Sequence, residues 1–311
     1  MAGQNLRAHK LGWIGIGRMG YAMAERLAKA GCDITVWNRT REKAEPLAKY
    51  GAKIAGVLTD LAACDIVFTM VAAGKDVKEV LFGANGVISK GKAPKIIVDS
   101  TSISVEESSE IRGKLAKLGV KLLAAPVSGN AKVIKAGKLT VVASGPKDAF
   151  DAVSPYMAAI GQGVSYVGDG ELSRIAKICH NVMLGVVTQS LAEITVLAQK
   201  AGMRRHAFLD FLNKSVMGSM FTRYKTPALV NLDFHVTFTP ELLRKDIDLG
   251  LAAGREFGVP MPLASVTRDL VQTLIGNGYT DSDFAALLLL QAKASGIELA
   301  SEHAEVSDGL S

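Results

Sequence analysis

Lys177 is the single fixed charge between Arg174 and Glu193, inside a stretch (IAKICHNVMLGVVTQSLA) that reads as a helix apolar on nearly every side. A helix of that kind is expected to be buried, and a lone buried ammonium is too costly to persist without a purpose or a partner. Asn181 follows at i+4, so both side chains leave the same face of the helix. A cation and an amide aimed together into a protected space make a candidate active site. Lys177 and Asn181 are therefore the candidate catalytic residues.

A second constellation lies near the N-terminus. Gly15-Ile16-Gly17-Arg18-Met19-Gly20 is a G-x-G-x-x-G between a predicted strand and a predicted helix. The first glycine permits a tight turn, the second lets a pyrophosphate approach the backbone, and the third allows close packing of helix on strand. Free N–H groups at the helix start and the helix dipole hold the anion. Taken alone the pattern also fits a simple glycine-rich turn, but its place at the first strand-to-helix junction favours dinucleotide binding.

The second predicted strand ends at Trp37, where an NAD-selective site carries an acid for the ribose hydroxyls. Here the residues are Asn38, Arg39 and Thr40. An arginine pairs with a 2′-phosphate that a carboxylate would repel, so NADP(H) is preferred and NAD(H) remains possible. The other reading makes Arg39 and Arg41 solvated residues at a helix start. Val71-Ala72 and Ser100-Thr101 follow later strands and should face the same crevice. Thr101 either reaches the nicotinamide side or caps the next helix.

These residues need a frame. From Leu11 to about Val167, the runs GWIGIG, DITVW, DIVFTMV, KIIVDS, KLLAAP, LTVVAS and VSYVG read as strands. The first several alternate with helical patterns at Met19 to Lys29, Arg41 to Tyr50 and Val105 to Leu118. That alternation predicts an α/β, doubly wound, mostly parallel sheet. After Gly168-Asp169-Gly170 the pattern turns helical, with a long helix from about Leu172 to Ala201 and others at His206 to Asn213, Pro240 to Phe257, Leu263 to Ile275 and Asp281 to Ala294. The expected division is a dinucleotide-binding domain of Rossmann type over 1–169 and an all-α domain for substrate and oligomerisation over 170–311, joined by the long helix. The tail from Glu298 to Ser311 is polar, aperiodic and expected to be loosely held.

Composition narrows the classes. With 49% hydrophobic and 21% charged residues, the 311-residue chain is globular rather than disordered. Its net charge of +6 is dispersed, which favours small anionic ligands over nucleic acid. Three scattered cysteines, Cys32, Cys64 and Cys179, indicate neither a disulfide framework nor a metal site. The polar N-terminus lacks a signal-peptide core, and no uninterrupted apolar run approaches a membrane span. A cytoplasmic protein that does not engage membranes is the expectation.

Taken in order, the glycine cradle, Asp99-Ser100-Thr101, Ala125-Pro126-Val127-Ser128-Gly129, Gly170 with Lys177 and Asn181, and Lys245-Asp246 resemble the β-hydroxyacid dehydrogenase family. That family includes 3-hydroxyisobutyrate dehydrogenase, tartronate semialdehyde reductase and the glyoxylate/succinic semialdehyde reductases. The resemblance covers about residues 10 to 295. It implies that Ser128 and Gly129 hold a substrate carboxylate, that Lys177 is the catalytic lysine, and that Lys245 lies close to the cofactor. Three positions depart from the family pattern: Asn130 replaces a glycine, Ala125 an aspartate, and His180 the first asparagine of a pair. Ser128-Gly129 could also be a plain turn, and Lys245-Asp246 a surface pair. His180 reads first as an ordinary buried histidine, then as a substrate contact or an auxiliary proton carrier.

The implied reaction is hydride transfer between a nicotinamide and a small carboxylate-bearing aldehyde or 3-hydroxy acid. Lys177 acts as general acid and base, while Ser128, Gly129 and Asn130 anchor the carboxylate. A homodimer or homotetramer is expected by analogy. An imine reductase on the same fold and a non-catalytic cofactor-binding interaction module are the alternatives. Arg223 is a further possible anion contact, though a surface arginine is the simpler reading.

Overall fold

The computed structural model describes residues 6–310. The chain divides into two compact units, one ending at Lys177 and the other starting at Ile178.

The first unit begins with β1 (Leu11–Ile14), α1 (Arg18–Lys29), β2 (Ile34–Trp37), β3 (Lys53–Ile54), β4 (Ile66–Thr69), α2 (Gly74–Phe82), β5 (Ile96–Asp99), α3 (Val105–Ala116) and β6 (Lys121–Ala124). The six strands form one parallel sheet in the order β3-β2-β1-β4-β5-β6. Every residue of β1, β4 and β5 is buried, as befits parallel strands covered on both faces. Alternate side chains feed two cores. Leu11, Trp13, Ile66 and Phe68 pack with Met23 and Leu27 of α1, whereas Ile14, Val67 and Ile97 pack with Val77 of α2 and Ile111 of α3. This is the doubly wound arrangement expected.

The register sets up the site. Ile14 pairs with Trp37 and Thr69, Thr69 with Asp99, and Asp99 with Ala124. The carboxyl ends of five strands therefore lie level, and the loops after them leave from one edge. The order reverses between β1 and β4, so that edge carries a topological switch point.

A smaller sheet follows, made of β7 (Val127–Ser128), β8 (Thr140–Ala143) and β9 (Gly163–Tyr166), with α4 (Ala131–Lys135) and α5 (Lys147–Ile160) between its strands. The candidate strands LTVVAS and VSYVG lie here rather than in the large sheet. β7 runs antiparallel to β8, and a single bridge joins Ala124 to Ser144. Arg41 to Tyr50, expected as one helix, folds as two 3-10 segments, Arg41–Lys43 and Glu45–Tyr50. Pro46 sits in the first turn of the second segment, where it cannot donate to a continuing α-helical ladder.

The helices α6 (Leu172–Lys200), α7 (Arg205–Lys214), α8 (Met220–Asn231), α9 (Pro240–Glu256), α10 (Pro262–Gly276) and α11 (Leu287–Ala294) complete the chain. By length and composition α6 could cross a membrane, a property that buried helices of water-soluble folds share. In the second unit Asp283 accepts from Lys225 Nζ (2.5 Å), Thr237 Oγ1 (2.6 Å) and the Ala285 amide (3.0 Å). That buried pair fastens the irregular segment before α9 to the 3-10 turn at Phe284–Ala286.

The C-terminal segment is not loose. Ala304 and Asn231 exchange two hydrogen bonds of 3.0 Å, Glu302 accepts from the Arg205 amide (2.7 Å), and Ile297, Leu299 and Val306 pack on the helical core. An aperiodic segment can be ordered by tertiary partners that no local pattern announces.

Candidate active site

Trp13 closes the cradle from below by donating to the Gly15 carbonyl (3.1 Å). Gly15 has φ +96, and a Cβ there would sit 2.2 Å from the Met70 carbonyl oxygen. A Cβ on Gly20 would sit 2.0 Å from the Gly15 oxygen. Both glycines are thus required by close backbone approach. Gly17 differs, because nothing lies within 4 Å of its missing Cβ. It is the N-cap of α1, whose first turn carries no acid and, among the described residues, no side-chain cap. Arg18 is exposed and Met19 half-buried there. Open space beside uncapped amides at a positive helix end suits a pyrophosphate, so the residues present fit a dinucleotide.

Asn38 accepts from the Ile16 amide (2.9 Å) and donates to the Thr40 carbonyl (2.8 Å), which ties the cradle to the loop after β2. Arg39 and Thr40 are exposed on that loop. Thr101 is buried, and its hydroxyl accepts from the Val71 amide (3.2 Å). Ala72, the next residue, is exposed, whereas Ser100 is buried. The cap of α3 is Ser104, in a reciprocal box with Glu107. Of the two readings of Thr101, the helix cap is therefore displaced.

Ser128 pairs with Thr140 across β7 and β8, and Gly129 is exposed beyond it. Asn130 caps α4, its oxygen accepting from the Lys132 (3.0 Å) and Val133 (3.1 Å) amides. An asparagine at this position thus has a structural use, and its amide nitrogen is the group left to serve as a donor.

The start of α6 is firmly anchored in the first unit. Ser173 donates to the Ala124 carbonyl (3.0 Å) and Ser144 to the Gly170 carbonyl (2.8 Å). Arg112 bridges the Glu171 carboxylate (2.6 Å) and the Gly170 (2.8 Å) and Leu122 (2.6 Å) carbonyls. Lys177 follows on the second turn. It is half-buried rather than fully buried, and on another face α6 keeps an exposed apolar stripe at Leu172, Met183 and Leu197. Apolar composition alone does not distinguish an enclosed helix from one with an uncovered face.

Asn181 is buried one turn later on the same helix. Its amide nitrogen donates to Asp246 (2.6 Å), and its oxygen lies 2.9 Å from His180 Nδ1. A carboxylate only accepts, which fixes the orientation of the amide, and His180 must then donate through Nδ1. His180 is exposed, which removes the buried-histidine reading. Asp246 also pairs with Lys245 (3.2 Å), whose own side chain is largely exposed. Two glycines allow this contact. A Cβ on Gly250 would lie 2.2 Å from Val182 Cγ2, and one on Gly185 2.9 Å from Ile247 Cδ1. Gly185 is one turn from Asn181 and Gly250 one turn from Asp246, so two small residues bring α6 and α9 close where the polar pair meets. In the sequence Asp246 stands beside Lys245 with no role of its own, and the i+4 spacing to glycine on both helices is the signal that marks its contact with Asn181. Arg223 is exposed and donates to the Asn213 carbonyl (3.0 Å), as a surface arginine would.

Residues 10–168 match the family model for the NAD-binding domain of 6-phosphogluconate dehydrogenase, and residues 172–291 that described as NAD-binding of NADP-dependent 3-hydroxyisobutyrate dehydrogenase. The chain is 30% identical over 279 residues to glyoxylate/succinic semialdehyde reductase 2, chloroplastic, of Arabidopsis thaliana, covering 89% of this chain and 78% of that protein. It is 29% identical to the cytokine-like nuclear factor N-PAC of Xenopus tropicalis, with 89% of this chain covered and only 52% of that protein. The solved 3-hydroxyisobutyrate dehydrogenase of Salmonella typhimurium superposes with a TM-score of 0.80 at 26% identity, over 90% of this chain and 99% of that one.

Proposed function

The chain belongs to the β-hydroxyacid dehydrogenase family of NAD(P)-dependent oxidoreductases, and on that premise we propose that it is an NADPH-dependent reductase of small carboxylate-bearing aldehydes, with 3-hydroxyacid oxidation as the reverse reaction. The observation that carries this reading is the placement of Lys177 one turn before a buried Asn181 whose amide is oriented by Asp246. Cofactor preference rests on the loop after β2, where Arg39 and Thr40 are exposed and Asn38 occupies the place of a carboxylate.

When bound, the nicotinamide supplies the hydride that joins the carbonyl carbon. Lys177 faces the charge that grows on the oxygen and donates a proton to it, and in the reverse direction removes that proton. Asn181, held through its nitrogen and oxygen, offers its second amide hydrogen as a fixed donor. Ser128 Oγ, the Gly129 amide and Asn130 Nδ2 anchor the substrate carboxylate and so orient the carbon beside it. Lys245 serves the cofactor. A homo-oligomer in the cytoplasm completes the proposal.

Retention of Lys177 weighs against imine reduction. A non-catalytic cofactor-binding module is the competing reading, since the chain is also similar to about half of a protein named a cytokine-like nuclear factor. NADPH oxidation with glyoxylate or succinic semialdehyde separates the two, since a binding module turns over neither. Lys177→Ala is expected to lower kcat by about 10³-fold, the range for loss of a positioned acid, with NADPH affinity nearly intact. Undiminished turnover in that variant would refute the assignment.

A further inference from the structure

Arg174 is 2% exposed, in the first turn of α6, and all three of its guanidinium nitrogens are engaged. Nη2 meets Asp99 Oδ2 at 2.5 Å, Nη1 donates to the Thr101 carbonyl at 2.5 Å, and Nε donates to Ser108 Oγ at 3.2 Å. Asp99 is equally buried, and its other oxygen accepts from Thr69 Oγ1 (2.6 Å) and the Thr101 amide (3.2 Å). Thr101 in turn accepts from the Val71 amide. One carboxylate and one guanidinium thus join the ends of β4 and β5, the loops presenting Val71 and Thr101, and helices α3 and α6.

We propose that Arg174, held by Asp99, is a positioning residue that fixes Lys177 relative to the nicotinamide-side loops. The inference rests on the reading of Lys177 as the acid–base group. Residue i+3 on a helix leaves about 60° short of a full turn from residue i, so locking the Arg174 fork fixes the direction in which Lys177 departs. The same fork grips Thr101 through its carbonyl, and therefore ties the turn that bears Lys177 and the Thr101 loop to one rigid group. A buried ion pair is a poor way to gain stability over apolar packing of equal volume. What this pair supplies is geometry, because a planar guanidinium bonds in three fixed directions where a lysine or an apolar side chain does not.

The experiment is single-turnover NADPH consumption with glyoxylate and enzyme in excess, because that rate constant does not depend on the fraction of enzyme that is folded. Arg174→Lys keeps the charge and loses the fork. It is expected to slow the step by about 30- to 100-fold, the scale of an ångström of misplacement, with the NADPH dissociation constant within about threefold of wild type. Asp99→Asn with Arg174→Met neutralises both partners at similar volume. It leaves no unpaired buried charge, provides the comparison if Arg174→Lys is unstable, and is expected to be just as slow in its folded fraction. A wild-type rate constant in either variant overturns the positioning role and reduces the pair to a structural stitch. Lys177→Ala measured alongside keeps the two claims apart: a fast Lys177→Ala sinks the acid–base reading, whereas a slow Lys177→Ala with a fast Arg174→Lys sinks only the positioning.

Discussion

Each unit buries one arginine almost completely, and the two are compensated differently. Arg174 in the first unit meets a carboxylate that has partners of its own. Arg205 in the second unit is satisfied by dipoles: the Leu229 (3.0 Å), Val230 (2.7 Å) and Ala300 (2.5 Å) carbonyls and the Gln199 amide oxygen (3.1 Å). Leu229 and Val230 lie in the last turn of α8, where carbonyls lack helical partners and the dipole favours a cation. Arg205 therefore completes a helix end and fastens the C-terminal segment. Arg174 joins the ends of β4 and β5 to α3 and α6. Burial of a guanidinium carries no functional meaning by itself; its partners and their further connections do.

That contrast can be broken by mutation. Arg205→Met strips three carbonyls of their donor and is expected to cost on the order of 3 kcal/mol, read as a lower urea midpoint. The rate constant per folded molecule should stay near wild type. A variant that keeps its midpoint and loses its rate would reverse the roles assigned to the two arginines.

A smaller effect is expected from Asp246→Asn in the helical unit, where the carboxylate accepts from the Asn181 amide. An asparagine at 246 can present its own amide to Asn181 and release the orientation that the carboxylate imposes. A fall of roughly tenfold in kcat is predicted, the scale of a charged hydrogen bond, with less change in the melting temperature than Arg205→Met produces. Equal loss of stability in the two variants would make Asp246 a packing residue only.

Glu302 gives the smallest and most pH-dependent effect. Burial pushes its carboxyl up, but donation from the His206 amide and ring and from the Arg205 amide holds it below its ordinary value. A lowered folded pKa means that the contribution to stability is complete above the unfolded value, about 4.3, and is lost as pH falls through the folded one. Glu302→Gln is accordingly expected to cost about 1 kcal/mol at pH 7, as for a lost helix cap at the start of α7. The gap should narrow as pH falls below about 4.3 and close once it passes below the folded pKa. A gap that does not narrow at all as pH falls below about 4.3 would show that the charge on Glu302 is not what fastens the C-terminal segment.

Much of this architecture could be read before any tertiary contact was known. The parallel sheet was legible because strands covered on both faces are continuous apolar runs, and the cradle because a glycine signature at the first strand-to-helix junction has few other uses. α6 was legible from its length and period. The tie of Glu302 and Ala304 to α7 and α8 was not, since it joins residues about 70 or more positions apart without periodicity. The same holds for the second sheet, because isolated short strands carry no mark of the sheet they join.

The order of residues in the chain determined the class of fold, the family and the spacing of Lys177 to Asn181, since each is encoded in local pattern and ordered motifs. Tertiary structure alone decided that Lys177 is half-buried, that Asn130 caps a helix, that Asp246 orients Asn181, and that Asp99 grips Arg174. Local periodicity specifies which face of an element is apolar. The partners of a buried polar group depend on which distant elements pack against it, and a hydrogen bond with a reach of about 3 Å is settled only when they do.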